Sequence, residues 1–169
     1  MLENPIGLED YKEKAPYAPT QILYEQQLAQ TEEQIWVYHR SYYVNPKPAY
    51  EEYVRVPARQ MGSGEYPRLA WSAALTTQMV YEQPVRHEFR LVRPATLLVI
   101  GQADRTAIGK DRVAPEVAAT MGNYPELGRL VAKEIPQAKL VEIENCGHIP
   151  HLEEPEKFHA ALLEFLKAP

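Results

Sequence analysis

Two residues carry the chemistry this sequence offers, an acid at Asp104 and a histidine at His148. A carboxylate that holds an imidazole is the orienting half of a general-base pair. It fixes the ring and stabilises its charged form, while the other ring nitrogen takes a proton from a nucleophile. Each residue lies four positions beyond the end of a segment that reads as a strand, 95–100 for the acid and 139–144 for the histidine. In an open parallel sheet, reacting groups gather beyond the carboxyl ends of the strands. If these strands are neighbours, about 4.8 Å apart, the two loops emerge side by side. Taken singly, Asp104 reads equally well as a turn or helix-capping aspartate, and His148 as a loop histidine bonded to backbone. Their matching offsets favour the pair.

The elements that must position them follow from period and punctuation. Pro94 cannot donate to a ladder but can open a strand, and the apolar run within 95–100 suits a strand buried on both faces. Helical stretches over 115–119 and 125–134 flank a break at Gly122, and Pro136 ends the second. The segment 139–144 reads as an edge strand with a partly solvated face. Residues 155–167 repeat Phe158, Ala161, Leu162, Phe165 and Leu166 at helical spacing. Strand, helix, strand, helix with a helical crossover implies an α/β fold with a parallel sheet.

Before Val92 the composition differs: 13 of the 16 aromatic residues lie there. Four short helices are expected in this region. One spans 21–30 with Thr20 as its cap. A second follows Thr31, whose spacing to Gln34 is that of a capping box, with Ile35, Tyr38 and Tyr42 on one face. A third runs from Tyr50 to a stop at Gly62, and a fourth from Pro67 to Pro84. Such a layer can wall a pocket or simply pack.

The chain has 169 residues, 45% of them apolar, and a net charge of −5. No apolar stretch approaches the roughly 20 residues of a membrane span, and the start lacks the basic and apolar regions of a secretory leader, so a cytoplasmic chain is expected. The lone Cys146 excludes an internal disulfide and a multi-cysteine metal site. The scattered basic residues leave no stripe for nucleic acid. A small-molecule substrate and other protein chains remain as partners, and no cofactor is expected.

Two stretches are more specific. Arg-Pro-Ala-Thr-Leu-Leu-Val-Ile-Gly-Gln-Ala-Asp-Arg over 93–105 and Asn-Cys-Gly-His-Ile-Pro-His-Leu-Glu-Glu-Pro-Glu-Lys-Phe over 145–158 resemble the last two strand-and-loop units of the α/β-hydrolase family. The resemblance covers about residues 91–166. It implies that Asp104 is the triad acid and His148 the base, that 1–10 is a remnant of a sheet strand, that 11–90 is a helical cap, and that 91–169 is the carboxy-terminal lobe of the fold.

The family's nucleophile sits on a Gly-x-Ser-x-Gly elbow between strand and helix, and no such elbow occurs here. Ser63 lies in Gly62-Ser63-Gly64 with no strand leading in, and Ser41 and Ser72 fall within expected helices. Cys146 reads as a buried free thiol. A metal cluster of His148, His151 and Glu153 lacks paired spacing on a regular element; His151 and Glu153 lie near enough to His148 to shape its surroundings, while Glu153 and Glu154 read more readily as acids favouring the positive start of the last helix. The resemblance therefore implies the carboxy-terminal half of a longer hydrolase of esters or related acyl compounds, inactive alone. Relatives with an aspartate nucleophile act on epoxides or haloalkanes. A non-catalytic binding module of the same fold is the competing expectation. An apolar strand with an open edge further predicts a homo-oligomer or a complementing amino-terminal half.

Overall fold

Proline and glycine bound the central strand. In the computed structural model, which describes residues 1–167, Thr96 Oγ1 donates to the Pro94 carbonyl at 2.9 Å, and from there β2 (Thr96–Gly101) runs to its glycine with every residue buried. It lies between two parallel partners, β1 (Leu2–Glu3) and β3 (Ala138–Ile143), in the order β1-β2-β3. The register sets Leu98 opposite both Leu2 and Leu140. The first strand is short, only Leu2–Glu3. Asn4 turns out of the ladder with a φ of +33°, which carries Leu8 into the core.

Alternation on β2 divides the core in two. Leu98 and Ile100 face one side, with Leu8, Phe89, Tyr124, Val131 and Ile135. Leu97 and Val99 face the other, with Ile143, Cys146 and Phe158. The first cluster is roofed by α6 (Tyr124–Glu134), which follows a single turn, α5 (Pro115–Ala118). The second is covered by α8 (Pro155–Lys167), preceded by a short α7 (Pro150–Glu153). Helices on both faces of a parallel sheet make this an α/β fold. Each aliphatic side chain of β2 contributes on the order of 1.5–3 kcal/mol by leaving water. On α8, Phe158 and Ala161 are buried and Leu162 and Phe165 pack, whereas Leu166 is 67% exposed.

Between β1 and β2 stands a helical layer of α1 (Thr20–Ala29), α2 (Glu32–Arg40), α3 (Glu51–Met61) and α4 (Tyr66–Glu82). The Thr31–Gln34 capping box closes reciprocally at 3.2 and 2.8 Å. Thr20 is not the cap of α1; Pro19 holds that position and Thr20 is the first helical residue. Ala18, Leu23 and Ala74 form the small core under α1 and α4, where Tyr24 meets Trp71 edge-on at 5.3 Å. No helix among the described residues is long and apolar enough to cross a membrane.

Among the described residues, β1 pairs only with β2, and the apolar Met1 and Ile6 beside it are about half exposed. Leu130 on α6 and Leu163 and Leu166 on α8 also face solvent. An unprotected strand edge with apolar residues around it recruits another strand. Light scattering behind size-exclusion chromatography at micromolar concentration is expected to give a mass above the 19.3 kDa of one chain. A monodisperse monomer with a cooperative melt would contradict this.

Candidate active site

Beyond the carboxyl ends of β2 and β3, two loops are laced together by backbone bonds. Gln102 N–H donates to the Ile143 carbonyl at 3.0 Å and Ala103 N–H to the Cys146 carbonyl at 2.9 Å. The approach is so close that a Cβ on Gly101 would collide with the carbonyl oxygens of Gly147 and Cys146. Buried Asn4 ties the same junction from the β1 side. Its Oδ1 accepts from Gly101 N–H at 2.9 Å, and its Nδ2 donates to the Gly147 carbonyl at 2.8 Å.

This junction brings Asp104 and His148 together. The Asp104 side chain is wholly enclosed and His148 retains a quarter of its exposure. Oδ1 of Asp104 accepts from Thr106 N–H at 2.8 Å, and Oδ2 lies 2.7 Å from His148 Nδ1. Thr106 Oγ1 stands 3.0 Å from the same ring nitrogen. A proton on Nδ1 serves both oxygens, which assigns the tautomer in which Nε2 keeps its lone pair. An enclosed carboxylate is tolerated because its oxygens are paired. Sequence reasoning passed over Thr106, although an aspartate two residues before a threonine is the spacing of an Asx turn.

Aromatic rings from two elements hold the imidazole. Tyr42 packs on it with centroids 4.7 Å apart, and Tyr124 approaches edge-on at 6.0 Å. Burial pushes both phenols well above their ordinary range, so they act as apolar walls or proton donors rather than bases. The α2 helix ends at Arg40, so Tyr42 lies past it, where its backbone carbonyl accepts from His148 N–H at 2.7 Å. Beside Thr106, a cavity of about 710 Å³ opens between α1, the end of α2 and the 103–112 loop, with Leu23, Gln27, Tyr38 and Ser41 in its wall.

The candidate nucleophiles lie elsewhere. Among the described residues, no serine or cysteine side chain bonds to the His148 ring. Ser41 is the residue after α2, not within a helix, and its hydroxyl donates to the Tyr38 carbonyl at 2.6 Å. Ser63 sits in an exposed turn between α3 and α4, and Ser72 on the exposed side of α4. Cys146 is buried, and burial pushes its thiol up to about 12. His151 pairs with Glu3, its Nδ1 at 2.9 Å from Oε1. Glu153 does not serve the start of α8, contrary to its position in the sequence. Its carboxylate accepts from Gly147 N–H at 2.7 Å and from Val44 and Asn45 N–H at 2.6 and 3.0 Å. No group of three or more His, Cys, Asp or Glu among the described residues is disposed to hold a metal ion.

Helices on both faces of a parallel sheet, with an acid and a histidine meeting beyond the carboxyl ends of adjacent strands, define a class of α/β proteins that place their chemistry on loops. The profile of the alpha/beta hydrolase family matches residues 15–161, and the chain belongs to that family. A solved structure, that of a probable hydrolytic enzyme from Pseudomonas aeruginosa, superposes with a TM-score of 0.94 at 40% sequence identity. The match covers 98% of this chain and 54% of that one, so this chain spans about half the length of that neighbour. Comparison with curated proteins found no match.

A methyl group at Gly147 tests the close approach on which the pairing depends. Its Cβ would strike the Tyr42 carbonyl oxygen and press on Glu153 Oε2. Gly147→Ala is expected to lower stability by about 1–3 kcal/mol, read as a lower midpoint in thermal or urea unfolding. An unchanged midpoint would show that the backbones do not meet there.

Proposed function

We propose that this chain supplies the general base and its orienting acid to a hydrolase of esters or related acyl compounds. The observation that carries the reading is the 2.7 Å contact between His148 Nδ1 and the enclosed Asp104 carboxylate at the edge of a sheet of this family. A serine outside Ser41, Ser63 and Ser72, presented on an elbow next to β1, attacks the acyl carbon. Nε2 of His148 takes the serine proton as the C–O bond forms and returns it to the leaving group as the tetrahedral intermediate collapses. Water then repeats the cycle on the acyl-enzyme. Asp104 holds the ring and stabilises the imidazolium. Helices α1–α4 act as a cap over the sheet edge, and the 710 Å³ cavity receives part of the substrate. The backbone donors that stabilise the oxyanion come from the same complementing segment as the serine.

The likeness to a neighbour about twice as long supports a complementing segment, whether continuous with this chain or held in an assembly. Alone, the 169 residues are expected to leave a chromogenic short-chain ester untouched, and Ser63→Ala is expected to change nothing. Joined to a segment bearing a Gly-x-Ser-x-Gly elbow, the protein is expected to turn over the ester, with Asp104→Asn lowering kcat by roughly 10⁴-fold and His148→Ala by at least that much. Ester hydrolysis by the chain alone that disappears in Ser63→Ala would overturn the proposal. So would full activity of the joined protein carrying His148→Ala, which would favour a binding module of the same fold.

A further inference from the structure

Glu153 is a buried acid with a fully committed carboxylate, and its three donors come from both sides of the candidate site. Only 8% of the residue is exposed. Oε2 accepts from Gly147 N–H, immediately before His148, while Oε1 accepts from both Val44 and Asn45 N–H, 109 and 108 residues earlier in the chain. The segment that receives this clamp also makes the return contact. Tyr42 accepts the backbone N–H of His148 and lays its ring on the imidazole. Tyr50 OH donates to the Leu152 carbonyl at 3.0 Å, and Tyr50 stacks on Tyr43 at 4.4 Å. The base-bearing loop and the 42–45 segment are therefore joined in both directions, backbone to backbone and through one carboxylate.

We propose that Glu153 is a positioning residue for His148, bolting the base-bearing loop to the helical layer so that the alignment of the ring on Asp104 depends on that layer. The inference rests on the reading of His148 as the base. Only a glutamate suits the place. Its two oxygens are both acceptors, and the clamp needs acceptors on both sides. A glutamine would turn an NH₂ group against a backbone N–H, and an aspartate is too short to span Gly147 and Val44 together. Hydrogen bonds to a carboxylate are the strong ones, and leaving a buried N–H without its acceptor is costly. Loss of the clamp frees the loop at the residue next to the base.

The test is nuclear magnetic resonance on the 169-residue chain, reading the downfield His148 Nδ1 proton and the exchange of backbone amides. In Glu153→Gln, the amides of Val44, Asn45 and Gly147 are expected to exchange at least about tenfold faster, and the His148 Nδ1 resonance to shift or broaden away. Amides between β2 and β3 are expected to keep their rates. Glu153→Asp, a milder change in the event that the first variant does not fold, is expected to move the same signals in the same direction by less. Asp104→Asn is expected to remove the Nδ1 resonance while the three clamp amides stay protected. Faster amide exchange with an unmoved Nδ1 resonance in both Glu153 variants would reduce Glu153 to a structural clamp and overturn the inference. A resonance that survives Asp104→Asn would instead overturn the pairing itself, a failure distinguishable from the first.

Discussion

A single close contact of three backbones organises this molecule. Gly147 is wedged between Gly101 at the end of the central strand and Tyr42 beyond α2, with no room for a Cβ at either glycine. A side chain at Gly147 would push the helical layer away from the sheet, and one at Gly101 would separate the Asp104 loop from the His148 loop. The sheet, Asp104, His148 and the layer above them are fixed relative to one another at this point. Asn4 reinforces it with two hydrogen bonds from the β1 side, and Glu153 with three from α7.

The enclosure has a cost that the polar groups around it offset. A buried carboxylate without partners is strongly disfavoured, yet Asp104 meets Thr106 N–H and His148, and Glu153 meets three backbone donors. Once those bonds are made, the same burial shapes the surroundings of His148. It walls the imidazole with Tyr42 and Tyr124 and leaves its remaining nitrogen available. It also silences Cys146, whose thiol is held far above neutrality two residues from His148.

How much of this was legible in the sequence depended on the range of the interaction. The central strand is apolar on both faces because helices cover both, and that run showed directly in residues 95–100. The two glycine-bounded loops stood out by their equal offsets, and they led to Asp104 and His148. The Thr31 capping box was visible because its partners lie three residues apart. Contacts across about a hundred residues left no such mark. Glu153 beside Glu154 reads as the acidic start of a helix, and nothing local points to Val44 or Asn45. Tyr42 continued a helical stripe on paper, but α2 stops at Arg40 and frees it to meet the histidine. The brevity of the first strand has no local mark either: Asn4, at positive φ, follows it after two residues.

The central claim is that Asp104 and His148 activate a serine that is not among these residues. Covalent labelling of the joined protein with a fluorophosphonate, followed by mass spectrometry of the labelled peptide, tests it most directly. The account predicts the adduct on a serine outside the 169 residues and its loss in His148→Ala. An adduct on Ser41, Ser63 or Ser72, or labelling at full rate without the histidine, would contradict it.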